Sequence, residues 1–198
     1  QLMLLHGAQG KGKSTFIRHL LPPELKDYYR NGMIIPENNN HLLQLSSCLL
    51  INLDEFDTLS PERMQNLKSL ITQDVVNERK VYDIQNYTYI RRASFIASTN
   101  NPHCMPDVKE NRRILFSTLL NIDYHTPVNH EGIYAQAYAL YRQGFQYWYE
   151  NEEITFLNNR NEAFRQKDPI EENLFFYFRA ARQNDIQAQW YPASYLLY

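Results

Sequence analysis

The sequence is short of several things, and each shortage closes off a class of protein. Its 198 residues hold two cysteines, Cys48 and Cys104, too few for a disulfide framework and in keeping with a reducing, cytoplasmic compartment. No apolar run nears the roughly 18 residues of a membrane-spanning helix, and no signal-peptide pattern is recognisable. A net charge of -2 supplies no general attraction for nucleic acid, so any such contact needs a local basic patch or assembly. Six histidines show no ligand spacing, and His103-Cys104 is too sparse for zinc, so no structural metal is expected. There is no internal repeat. What remains, 43% hydrophobic and 21% charged residues, is ordinary for a globular domain with one sizeable core. The first residues already belong to an apolar run and the last are "SYLLY", which reads as a domain of a longer polypeptide.

Apolar runs bounded by glycine or polar residues mark the strands of a buried parallel sheet. Leu2 to Leu5 is one, "GMIIP" (Gly32 to Pro36) a candidate second, and "CLLINLDEFD" (Cys48 to Asp57) a stronger third. "ASFIASTNN" (Ala93 to Asn101) and "RILFSTLLNI" (Arg113 to Ile122) follow. Lys13 to Leu21 reads as a helix stopped by Pro22-Pro23. A second helix has Ser60 as N-cap and Pro61 at its first position, and runs to about Thr72. "KVYDIQNYTYIRR" (Lys80 to Arg92) alternates as a hairpin does. Beyond Pro127, Tyr134, Tyr138, Tyr141, Phe145 and Tyr149 recur at three- and four-residue steps, a stripe expected to pack. The pattern predicts an α/β three-layer sandwich around a central parallel sheet, with a core over residues 1–125 and a helical region over 126–198.

Glycine is scarce too, yet three of six fall in the first twelve residues, within "LMLLHGAQGKGKST". Gly7, four residues, then Gly12-Lys13-Ser14 satisfies the pattern of a triphosphate-binding loop, and it stands between an apolar strand and a helix as that chemistry requires. The residues from Gly7 through Ala8, Gln9, Gly10, Lys11 and Gly12 would wrap phosphate with backbone amides, which bare glycines permit. Lys13 would meet the β- and γ-phosphates as a point charge, Ser14 would offer a hydroxyl to Mg²⁺, and Thr15 would lie close by.

"LLINLDEFD" ends an apolar strand on two neighbouring carboxylates, which alternation sends to different faces. Asp54 would hold the metal and Glu55 would polarise the attacking water. Asp57 reads as a helix-entry residue. Asn100, at the carboxyl end of another strand, could orient that water, whereas Asn101 precedes Pro102 and shapes a turn. Arg112 and Arg113 precede the last strand, and either guanidinium could stabilise the transferred phosphoryl group, in this subunit's site or a neighbour's. Arg79, Lys80, Arg91 and Arg92 flank the hairpin with Tyr82, Tyr87 and Tyr89, a mixture suited to single-stranded nucleic acid or to an ordinary solvated surface.

The order of these motifs resembles the virulence-associated protein E family, primase-helicase-like ATPases of phages and mobile elements similar to superfamily-three helicases of the AAA+ class. The resemblance covers about Leu2 to Phe178. It implies a P-loop ATPase using ATP and Mg²⁺, acting on single-stranded or forked DNA as a homo-oligomeric ring such as a hexamer. It assigns Lys68 to the lysine after the acidic pair, Arg79 with Tyr82 to an R-x-x-Y segment, Asn100 to the polar sensor, Asp107 to the aspartate after it, and Arg112-Arg113 to the arginine pair. The family's glycine two places before that pair is Glu110 here. The C-terminal region resembles the start of a winged-helix-type module. Rival readings are a regulatory AAA+ ATPase acting on protein, a nucleoside or small-molecule kinase, and a nucleotide-binding scaffold without turnover.

Overall fold

The computed structural model describes residues 1–32, 39–54, 56–79, 86–105, 113–166, 174, 176–178 and 189. The chain divides into two units, Gln1–Arg165 and Gln166–Tyr198. In the second, the Phe178 amide donates to the Leu174 carbonyl across one helical turn (2.8 Å).

The first unit is built on β1 (Leu2–His6), α1 (Lys13–Arg18), β2 (Tyr29–Asn31), α2 (Asn39–Ser47), β3 (Leu50–Leu53), α3 (Pro61–Thr72), β4 (Val75–Arg79), β5 (Asn86–Ile90), β6 (Ser94–Thr99), β7 (Ile114–Thr118), α4 (His130–Arg142) and α5 (Asn151–Glu162). Five strands form one sheet in the order β2-β3-β6-β1-β7, all parallel. β1 runs between β6 and β7, with Leu2 opposite Phe95 and Ile114 and His6 opposite Thr99 and Thr118. Three strand ends thus arrive side by side.

Alternation splits β1 between two apolar layers. Leu2 and Leu4 enter the larger core with Ile51, Leu53, Phe56 and the α3 residues Met64, Leu67, Leu70 and Ile71. Leu5 faces the other way, against Ile17 of α1 and Ile96 of β6. Helices therefore cover both faces, which is why the strands read as continuous apolar runs. α3 starts as its sequence predicts: Ser60 Oγ accepts from the Arg63 amide (3.3 Å) and Pro61 opens the helix.

Several elements depart from expectation. The second strand is Tyr29–Asn31, not Gly32 to Pro36. Tyr29 pairs with Leu50 and packs against the smaller core, whereas Gly32, at φ 132°, turns the chain; residues 33–36 lie outside those described. α1 stops at Arg18 rather than Leu21, and a 3-10 turn over Pro23–Tyr28 follows. The strand foreseen over Cys48 to Asp57 shortens to β3, because Phe56 leaves it in a 3-10 turn to bury itself completely in the larger core. A hairpin forms, but its first strand is β4, paired antiparallel with β5 from Val75↔Ile90 to Arg79↔Asn86. Val76 draws that strand in by entering the larger core.

The aromatic stripe is helical but not packed: Tyr134, Tyr138 and Tyr141 of α4 are 43%, 62% and 74% exposed. α4 ends at Arg142, so Phe145 and Tyr149 lie beyond it, also exposed. The helix attaches by its first turns, through His130 Nε2 at 2.7 Å from the His19 carbonyl and the Tyr134 hydroxyl donating to the Leu20 carbonyl (3.3 Å).

Candidate functional site

The glycine-rich loop leaves β1 clamped on both sides. The Gly7 amide donates to the Thr99 carbonyl (3.3 Å) at the end of β6, and the Leu119 amide to the His6 carbonyl (2.8 Å) just past β7. Gly10 and Gly12 adopt positive φ, 77° and 82°, where a side chain would be strained. A Cβ at Gly12 would also fall within the ring of Tyr124, which lies against the loop.

Lys13 follows at the head of α1 and is only 7% exposed. Its Nζ donates to the Gly7 carbonyl (2.5 Å), the Ala8 carbonyl (3.0 Å) and Asn100 Oδ1 (2.7 Å). Burial lowers the lysine's pKa from its ordinary value, and Asp54 and Asp57 oppose that shift. Three oxygen acceptors satisfy the three ammonium donors, which is what a buried cation requires. Because lysine only donates, the Asn100 oxygen must face it, leaving that side chain's NH₂ for another acceptor.

Next to it, Ser14 Oγ donates to Asp54 Oδ2 (3.2 Å) and Ser98 Oγ to Asp54 Oδ1 (2.6 Å). Thr99 Oγ1 donates to Asp57 Oδ1 (3.0 Å). Together these groups line a cavity of about 420 Å³ with residues 9–15 and Tyr124. Two hard carboxylates, the hydroxyls of Ser14, Ser98 and Thr99, a lysine and an amide give a pocket with oxygen donors for a divalent cation and N–H donors for an anion.

The structure thus brings together the loop from Gly7 to Thr15, Lys13, Ser14, Asp54 and Asn100. Asn101 instead caps a turn, its Oδ1 accepting from the His103 amide (2.9 Å). Asp57, read from sequence as a helix-entry residue, faces the cavity. Ser98 and Thr99 were legible only as a polar strand end, and nothing local pointed to Tyr124. Glu55, Lys80, Tyr82, Asp107 and Arg112 lie outside the described residues, as does the side chain of Arg79, whose backbone ends β4. Lys68 is buried in α3, 1% exposed.

Arg113 stands immediately before β7, at the amino end of the sheet, opposite to the loop. Arg91 Nε donates to the Gln73 carbonyl (2.5 Å) and Nη1 to the Ala93 carbonyl (2.7 Å), and its guanidinium lies 5.8 Å from the Phe95 ring centroid. Those contacts fasten the base of the hairpin. Arg92 is exposed, and Tyr87 and Tyr89 lie 6.3 Å apart on β5. Cys104 is buried, and burial pushes its thiol up to about 11, so it is no nucleophile at neutral pH.

Fold and cavity define an α/β domain whose polar site opens at the carboxyl ends of a five-stranded parallel sheet. Residues 1–166 match the virulence-associated protein E-like domain, and the chain belongs to that family. Among curated proteins, none matches the chain significantly. Among solved structures, an apo A form of the NrS-1 C-terminal region (305–718) is 17% identical with a TM-score of 0.43. That match covers 82% of this chain and 34% of the other. A further apo structure of the same region is 16% identical with a TM-score of 0.46, covering 82% and 35%. The chain spans about a third of the length of these structures. Among the described residues, no helix is long and apolar enough to cross a membrane.

Proposed function

We propose that this domain is a P-loop ATPase of the AAA+ class, the motor of a protein that unwinds or remodels DNA in the replication of a mobile element. The observation that carries the reading is the convergence on one cavity of three motifs far apart in sequence. Lys13 of the glycine loop reaches Asn100 just after β6 at 2.7 Å, and Ser14 beside it reaches Asp54 after β3 at 3.2 Å.

In this reading the Lys13 ammonium exchanges loop carbonyls for phosphate oxygens, holding negative charge by proximity alone. Ser14 and Asp54 fit a Mg²⁺ ion, whose charge when bound would neutralise that of the phosphates. In the same reading the NH₂ group of Asn100 donates to the γ-phosphate or orients the attacking water. Glu55 is the proposed base. Arg112 or Arg113 is the proposed finger, supplied to the site of a neighbouring copy. All of these residues fall in the core foreseen over 1–125. Single-stranded or forked DNA is the proposed partner, held in part by the hairpin residues Arg79, Lys80, Tyr82, Arg91 and Arg92.

The test is the ATPase rate measured against protein concentration, with and without single-stranded DNA. A rate per chain that climbs with concentration and is stimulated by DNA supports a shared-site nucleic-acid motor. A flat, unstimulated rate across salt concentrations would sink the helicase reading in favour of a regulatory ATPase acting on protein.

A further inference from the structure

Beside the cavity at the loop lies a second hollow, of about 500 Å³, lined by Gly10, Lys11 and residues 121–125. Gly10, Lys11 and Tyr124 border both. The two spaces therefore adjoin as halves of one cleft, with Tyr124 in their shared wall. That ring is pressed on the loop by a specific vacancy, since Gly12 leaves it the room a Cβ would take.

The segment that presents the ring is fixed. Asp123 Oδ1 accepts from the amides of His125 and Thr126 (3.1 Å each), and its Oδ2 from the Thr126 hydroxyl (2.6 Å). The His125 ring lies 4.2 Å from that of Tyr124, tilted by 38°. So the polar half of the cleft offers donors for phosphate, and its other half offers a half-buried aromatic face held by a turn. A flat ring next to a phosphate site matches one chemical class, a nucleoside joined to a phosphate chain.

The geometry points to the second hollow as the seat of the nucleoside part of the triphosphate, with its base stacked on Tyr124. This rests on the phosphate-loop reading above and adds the residue that distinguishes a nucleotide from bare polyphosphate. Stacking depends on ring area and not on an edge pattern, so purine triphosphates should be held more tightly than pyrimidine ones.

The test compares ATP with inorganic tripolyphosphate, each titrated calorimetrically in the presence of Mg²⁺. For the wild-type chain ATP should bind the tighter of the two. Tyr124→Ala should weaken ATP by about tenfold while leaving tripolyphosphate within about twofold, the loss expected from removing one stacked ring. Tyr124→Trp, which keeps an aromatic face, should retain the preference for ATP. Equal losses for both ligands, no loss for either, or a Trp variant that no longer prefers ATP would overturn the inference. Lys13→Ala separates the two readings: it should abolish binding of both ligands. If tripolyphosphate still binds that variant, or the wild type binds neither ligand, the phosphate-loop reading itself fails.

Discussion

The two ends of the parallel sheet are built differently. At the carboxyl ends, side chains from the loop after β1 and from the ends of β3 and β6 form two neighbouring hydrogen-bonded sets, one around Lys13 and one around Asp54. At the amino ends no such cluster is described, and Arg113 enters β7 there. A five-residue strand spans roughly 13 Å, which puts the guanidinium's backbone a strand length from the loop of its own chain. The contrast teaches that this chain's own fold keeps Arg113 apart from the loop. If Arg113 serves phosphate, it does so across an interface.

The sharpest way to break this contrast is Arg113→Ala. Hydrolysis should fall by about 10³-fold or more while ATP affinity holds, and mixing the variant with Lys13→Ala should restore turnover through hybrid interfaces. A variant with unchanged rate would leave the amino end without a catalytic part.

Next in size is Phe56→Ala, which removes a fully buried ring from the 3-10 turn that carries Asp57. It should cost about 3–5 kcal/mol in denaturant-measured stability, and a much smaller loss would show that the carboxyl end does not depend on the core beneath it.

Asp54→Asn should lower Mg²⁺-dependent hydrolysis by about 10²- to 10³-fold, since it removes the carboxylate shared by Ser14 and Ser98. Metal-free affinity for tripolyphosphate should not fall, because the substitution removes a negative charge that repels that anion. A rate within twofold of wild type, on the same scale of precision, would take the metal away from this end.

The smallest effect concerns His6, at the end of β1. Burial lowers its pKa, and next a hydrogen bond at the Asn100 backbone opposes the shift; its Nδ1 has no hydrogen-bond partner among the described residues. The fold therefore favours the neutral ring. As pH falls below the ordinary value of about 6.5, the unfolded chain takes the proton first and stability declines, levelling off once the folded state is protonated too. His6→Phe should flatten that stretch of the stability-pH curve.

What was readable in the sequence was local. The glycine loop was read from its spacing pattern, and Asp54 and Asn100 from one rule, that each sits where an apolar run stops. The start of α3 was readable because Ser60 and Pro61 act within a single turn. Tyr124 was not, because its role depends on contact with Gly12, 112 residues away by the difference of their numbers. Similarly, β4 was missed because "KVYDIQ" alternates more cleanly than "VVNER", and burial of Val76 decided the matter instead. The stripe on α4 shows the same boundary from the other side. Its period held over Tyr134, Tyr138 and Tyr141, but period says which side chains share a face and nothing of what lies against it.

Lys13 already grips oxygen atoms of its own protein, two from the loop and one from Asn100. On the ATPase reading proposed above, an arriving triphosphate would displace a resident ligand set, so its net gain would be a difference between two sets of contacts. The same arrangement would work in reverse as product leaves, the ammonium returning to those oxygens instead of being stranded without a counterpart.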